Sequence, residues 1–374
     1  MQTNTPQIPK GRIVSIDALR GFDMFWIIGG GTVFLRLFEL IDTPLTRVFA
    51  AQLEHSSWHG FTFEDLIFPL FLFIMGASMP YAITKRLERG DSHRDLYIHI
   101  IKRAFIIYFL SLCYYGLLDF HSFGEQRYLG VLARIAIAYF FTGLIVMNTG
   151  VRGQVIWAAA ILIVHWAAVM LIPVPGHGAG VLTPDGNLGV YLDQTFLPGR
   201  LWTYGDYKLG DATGIIGTFT AVSSTLIGVL SGHWLRSESS DNTKIKWLGI
   251  AGAASLVSGI VWNIFFPINK FLWNGPYVMF AAGWCLLLLV MFYWIIDMRG
   301  YKKWAFPFVV IGLNPITIYV ADRFIKFEDF ANIFVHGFID NMGAFQPLFW
   351  AICVLAVKWL FLYFLYRQKI FLKA

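Results

Sequence analysis

The sequence predicts an all-α polytopic membrane protein with about ten transmembrane helices and both termini cytoplasmic. Three observations carry this. First, of 374 residues, 57% are hydrophobic and only 14% charged, with a mean hydropathy of +0.61. Soluble domains carry about 25% charged residues. So few charges cannot cover a globular surface in water, which argues against a soluble enzyme, a disordered chain or a nucleic-acid partner despite the net charge of +6. The solvent is a lipid bilayer. Second, apolar segments about 20 residues long recur along the chain, each long enough to cross the hydrocarbon core as a helix. Third, lysine and arginine are divided unevenly between alternate connections.

Ten segments meet the length requirement: 18–38, 63–84, 100–118, 129–148, 155–173, 213–235, 245–266, 277–296, 304–321 and 347–366. With the N-terminus inside, 18 lysines and arginines fall on the cytoplasmic side and 8 on the other, while Arg20, Arg134 and Lys358 lie within spans. This divides the chain into a cytoplasmic segment 1–17, a transmembrane domain 18–366 with outer loops 39–62 and 174–211, and a cytoplasmic tail 367–374. Cys113, Cys285 and Cys353 all sit in apolar runs, so neither a disulfide framework nor a thiolate metal site is expected.

The first span opens with Asp17, Arg20 and Asp23 on neighbouring helical turns, readable as a structural ion pair or as an anchor for a ligand phosphate. Gly29, Gly30 and Gly31 then interrupt the same span, by a break or by close packing of another helix. Ahead of the second span the loop concentrates His55, Trp58, His59, Glu64 and Asp65. Thr62 followed by two acids has the form of a hydroxyl-capped helix start. Two histidines four apart suit a metal on a helical face, yet Gly60 intervenes and a third ligand is lacking, so no metal is expected. A histidine beside a carboxylate at a membrane mouth is better suited to proton transfer near neutral pH.

Arg134, inside the fourth span, requires a partner or a buried position. The Asn314-Pro315 step breaks or kinks the ninth span and frees backbone groups toward a cavity. The long outer loop carries Trp202, Tyr204, Asp206 and Asp211, which can serve as an acceptor lid or as interfacial anchors. These features fit a small-solute transporter with a midplane site as well as they fit an enzyme.

Several stretches decide between the two: Ser15-Ile-Asp-Ala-Leu-Arg-Gly; the block from His55-Ser-Ser-Trp-His-Gly-Phe-Thr-Phe-Glu-Asp-Leu through Met75-Gly76; Leu129-Gly-Val-Leu-Ala-Arg; Phe266-Pro-Ile-Asn-Lys-Phe-Leu-Trp; and Gly312-Leu-Asn-Pro-Ile. Together they resemble the lysosomal heparan-alpha-glucosaminide N-acetyltransferase family and its bacterial relatives, nearly end to end. The resemblance implies a transmembrane acetyltransferase that uses cytoplasmic acetyl-CoA, without a metal, to acetylate the amine of an extracytoplasmic glucosamine-type sugar or glycan. It further implies a homodimer in a bacterial cytoplasmic membrane. Transfer to a sugar hydroxyl is the alternative within enzymes.

The family's catalytic histidine matches His55, acting as a general base or as an acetyl-accepting nucleophile. Asp65 is placed beside it to orient the ring or hold the acceptor. Arg20, Arg103, Arg134 and Arg236 are the expected cations for coenzyme A. Trp58, His59, Asp211, Lys270 and Asn314 are the expected acceptor contacts. Two positions depart from the family: Ile27 stands where relatives have an asparagine before the glycines, and Ala133 where they tend to have glutamine.

Overall fold

The computed structural model describes residues 13–119, 123–201, 203–204, 207–208 and 214–371. Among these residues, nine helices are long and apolar enough to cross a membrane. The first unit is α1 (Val14–Phe25), a π-helical turn (Trp26–Gly30) and α2 (Gly31–Ile41). Then follow the short α3 (Pro44–Gln52), α4 (Glu64–Leu87), α5 (His93–Tyr114), α6 (Val131–Asn148), α7 (Val151–Leu171) and the short α8 (Leu188–Phe196). A two-stranded ladder, β1 (Thr203–Tyr204) and β2 (Tyr207–Lys208), precedes α9 (Gly214–Arg236), α10 (Asp241–Asn263) and α11 (Gly275–Phe292). The chain closes with α12 (Phe306–Gly312), α13 (Pro315–Phe324), α14 (Phe327–Ile339) and α15 (Gln346–Arg367).

The expected span 304–321 is not among these nine: it is divided into α12 and α13, each too short to cross alone. Pro315 lacks the amide that would continue the helix, and Asn314 leaves helical geometry at φ −132° and ψ 48°. The other expected break also occurs. Gly29 adopts φ 142° inside the π-helical turn, a conformation that side-chain-bearing residues rarely reach. Helix α14 was not expected as a separate element. Its 13 residues are too short for a span, yet it continues through a turn into α15.

Helices α4 and α9 form the enclosed centre, each with 72% of its apolar window buried, against 22% for α10. They approach closely because Gly76 and Gly228 present no side chain: a Cβ at either would overlap the carbonyl oxygen of Thr225 or Phe73. Gly21 and Gly312 allow α1 and α12 the same approach. Away from this centre the bundle shows water-incompatible side chains outward, among them Phe105, Leu171, Ile264, Ile333 and Phe334. An outer surface of this kind belongs in a bilayer.

The bundle has two polar ends. At one, here the mouth, the connection 42–63 meets the segments after α5, α7 and α10: Gly60 N–H donates to the Ile268 carbonyl at 2.9 Å, and Arg200 N–H to that of Gln126 at 3.0 Å. At the opposite, basal end, Tyr97 donates to Asn148 at 2.9 Å, and the Ser15 N–H to Asp297 at 3.1 Å.

Candidate functional site

The site is built on the first turn of α4. The helix starts at Glu64, within a residue of the expected position, although the Thr62 hydroxyl does not cap it. That hydroxyl donates instead to the Glu54 carbonyl at 2.7 Å. Asp65 reaches back along the chain, and its Oδ2 accepts from the Ser56 and Thr62 amides, each at 3.2 Å. Its carbonyl accepts from the buried Tyr277 hydroxyl at 2.7 Å. Asp65 is completely buried, so these donors fix its carboxylate with Oδ1 left facing the mouth.

Two side chains meet Oδ1. His55 Nδ1 lies 3.2 Å away and Lys270 Nζ also 3.2 Å, although the lysine is 215 residues from the histidine in sequence. Three asparagines hold the lysine's loop. Asn263 Oδ1 accepts from Ile268 N at 2.7 Å, and Asn269 Oδ1 accepts from Leu272 N at 2.9 Å. Asn274 caps α11 through Tyr277 N at 3.2 Å while its own amide donates to the Pro267 carbonyl at 2.6 Å. Desolvation pulls the Lys270 ammonium below its ordinary acidity range, against the opposing attraction of Asp65.

The relation of lysine to histidine is specific. Nζ stands 3.0 Å from Nδ1 and 3.4 Å from Nε2. A donor lying along the in-plane lone pair of one ring nitrogen would be well beyond reach of the other, so Nζ sits over the face of the imidazole. Nδ1 is the ring nitrogen that approaches Asp65 Oδ1. The His55 side chain is 53% exposed and that of Lys270 only 13%. The cluster is therefore a half-open histidine backed by a buried acid and a nearly buried amine.

Around it, His59 Nδ1 is 3.3 Å from Asn269 Nδ2, and burial lowers its proton affinity. Residues 53–63 are not helical, and the two histidines turn to different partners. Trp58 stacks on Phe271 with ring centroids 5.2 Å apart, and its Nε1 donates to the Leu182 carbonyl at 2.8 Å, which ties the long mouth loop to the site. Phe271 and Tyr277 went unnoticed in the sequence. Phe271 lies inside the Pro-Ile-Asn-Lys-Phe-Leu-Trp motif, which was its available signal, whereas Tyr277 gave none.

The expected residues thus fall into groups. His55, Asp65, Trp58, His59 and Lys270 converge at the mouth. Arg134 lies on the same side of the bundle: its guanidinium sits over Phe68 and Trp273, 5.4 and 5.7 Å from the ring centroids, and its Nε faces the Thr218 hydroxyl at 3.4 Å. It adjoins the mouth cluster and not the other arginines. Arg103 lies at mid-depth over Tyr139, 4.7 Å from the centroid. Arg20 and Arg236 belong to the basal half. Arg20 bonds Ser78 at 2.5 Å, the Gly312 carbonyl at 3.3 Å and Asp17 at 3.2 Å. Arg236 is exposed, reaching the Pro80 carbonyl at 3.5 Å. Asn314 donates to the Ile370 carbonyl at 3.0 Å, in the basal half and away from His55. Asp211 lies outside the described residues.

A family profile described as Domain of unknown function (DUF5009) matches residues 12–170. Heparan-alpha-glucosaminide N-acetyltransferase of Homo sapiens is 27% identical over 419 residues, covering 97% of this chain and 60% of the human protein. The Mus musculus protein of the same name is 26% identical over 430 residues, covering 100% of this chain and 62% of its own length. The chain therefore spans about three fifths of the length of the curated relatives it matches. Over nearly all of its own residues, this chain is similar to the heparan-alpha-glucosaminide N-acetyltransferases at 26–27% identity.

Proposed function

We propose that the chain is a transmembrane acetyltransferase that carries an acetyl group from acetyl-CoA, bound from the basal side, to the amine of a glucosamine-type sugar at the mouth. The observation that carries the reading is the convergence of His55, Asp65 and Lys270 at the mouth of the bundle. The names of the relatives supply the reaction class and the sugar. The lysine and arginine asymmetry of the connections makes the basal end cytoplasmic and the mouth extracytoplasmic.

In this mechanism Asp65 accepts a hydrogen bond from the Nδ1–H of His55 and so favours the tautomer in which Nε2 is the basic nitrogen. As the sugar amine attacks the thioester carbonyl, Nε2 takes its proton. The Lys270 ammonium stands where it can stabilise the oxyanion of the tetrahedral intermediate. If His55 instead receives the acetyl group, the same orientation by Asp65 presents Nε2 as nucleophile. Trp58 and Phe271 offer an aromatic wall to the sugar ring. Exposed Arg236, with Arg20 deeper in the same half, faces the phosphates of coenzyme A.

The test uses purified protein in detergent with acetyl-CoA and glucosamine, following coenzyme A thiol and N-acetylglucosamine together. Transfer should occur, and His55→Ala should lower it by about 10²- to 10⁴-fold while leaving the fold intact, because the ring is half exposed. Undiminished transfer in that variant removes His55 from the mechanism. Thiol release with an ester product would redirect the reading to a sugar hydroxyl.

A further inference from the structure

We propose that Lys270 is an internal acceptor: when the mouth holds no sugar, the centre acetylates Lys270 on its own Nζ. The inference rests on the acetyl-transfer reading above and adds a modification site to it. Lys270 presents the functional group that the reaction consumes, a primary amine, within 3.0 and 3.4 Å of the two ring nitrogens of His55. Its position over the imidazole face matters. An acetyl group held at Nε2 lies near the ring plane, and a nucleophile approaches a carbonyl carbon from outside that plane, the side on which Nζ stands. The three-asparagine loop and a side chain only 13% exposed hold the amine there. Ordinary tethering of this kind makes an intramolecular amine a strong competitor. Burial of the ammonium increases the fraction present as free amine, in the same direction.

The step balances without a further reactant. The Nζ–carbonyl carbon bond forms and the carbon–sulfur bond of acetyl-CoA breaks. The lysine ammonium gives up two protons: one accompanies sulfur as the coenzyme A thiol, and the other leaves through His55 to water at the mouth. The product is a neutral amide. Asp65 then loses its lysine counter-charge, and the mouth loses the cation next to the reacting carbonyl, so the modified protein should transfer poorly to sugar. An incoming sugar amine competes with Lys270 for the same acetyl group, so acceptor should protect the lysine.

The experiment incubates the whole chain in detergent with isotopically labelled acetyl-CoA and no sugar, then maps lysine acetylation by peptide mass spectrometry. A parallel sample measures conversion of glucosamine. The expected result is label on Lys270, suppressed by saturating glucosamine and slowed by about a hundredfold or more in His55→Ala. Lys270→Arg should remove the label from that peptide, and fragment ions of the unaltered protein locate it independently of how that variant folds. Glucosamine conversion with an unlabelled Lys270 overturns the internal acceptor and leaves the proposed function standing. Absence of both overturns both. Labelling of Lys270 at the rate of exposed Lys302, unchanged in His55→Ala, marks uncatalysed acetylation and also overturns the proposal.

Discussion

Helix α4 carries a polar network at each end, and the two are put to different uses. At its first turn Asp65 is fixed by two backbone amides, while its free oxygen meets two titratable side chains, one of them half exposed. In its basal half Ser78 accepts from Arg20 and donates to the Ile74 carbonyl at 2.9 Å, and Arg20 also donates to Asp17 and to the Gly312 carbonyl. The basal network ties α1, α4 and α12 together with donors that stay charged at any physiological pH. The mouth network holds its carboxylate just as firmly but leaves Nε2 of His55 and a buried amine available. A chemical site in a membrane bundle is thus marked less by the number of polar residues than by which of their bonding positions remain open.

The sharpest break of this contrast is at Asp65. Asp65→Asn removes the buried counter-charge of Lys270 and should destabilise the protein by about 3–5 kcal/mol, with transfer lost as well. The double variant Asp65→Asn with Lys270→Met removes both charges and should regain most of that stability, because no orphaned ion remains. Transfer should stay absent in the double variant. Denaturation midpoints and transfer rates, measured on the same preparations, separate the two effects. Equal destabilisation in the single and double variants would mean that the pair is not coupled.

A smaller effect sharpens the basal side. Arg20→Ala should lower stability by about 2–4 kcal/mol through the loss of three hydrogen bonds to the charged group, two of them to other helices. Arg236 is exposed, with one long bond to the Pro80 carbonyl and its guanidinium 5.7 Å from the Tyr81 ring centroid, so Arg236→Ala should cost no more than about 1 kcal/mol. If it contacts coenzyme A, that variant should raise the KM for acetyl-CoA by roughly tenfold, the cost of one hydrogen bond to a charged group. A large midpoint shift without a KM change would make Arg236 a second structural tie.

Much of this architecture was legible because lipid imposes a length and a composition that local sequence displays directly. The spans, the break at Gly29 and the break at Asn314-Pro315 are of this kind. His55 and Asp65 were also readable, lying ten positions apart in one block. What escaped was set by long-range packing. Nothing near Lys270 states that a loop folded by Asn263, Asn269 and Asn274 will lay its amine over an imidazole 215 residues away. The depth of Arg134 was hidden for the same reason: its place over Phe68 and Trp273 depends on how α4 and α6 cross. The 13-residue α14 fell below the length that signals a span. The Thr62 cap failed because a neighbouring carboxylate and the Glu54 carbonyl were better partners for its hydroxyl.

The smallest effect concerns pH, and it isolates the buried amine of the mouth. The folded-state pKa of Lys270 lies below its ordinary value of 10.5, chiefly through desolvation. Between the folded value and 10.5 the unfolded chain binds the proton more readily than the folded one. Stability therefore rises with pH across that window, as the cost of burying the ammonium is relieved, and this contribution levels off above 10.5. The difference in unfolding midpoint between the unaltered protein and Lys270→Met, followed across the alkaline range, should therefore move in favour of the unaltered protein as pH rises. A difference that is flat, or that moves the other way, would mean that Asp65 outweighs desolvation at Nζ, and would leave little free amine at the mouth for His55 to use.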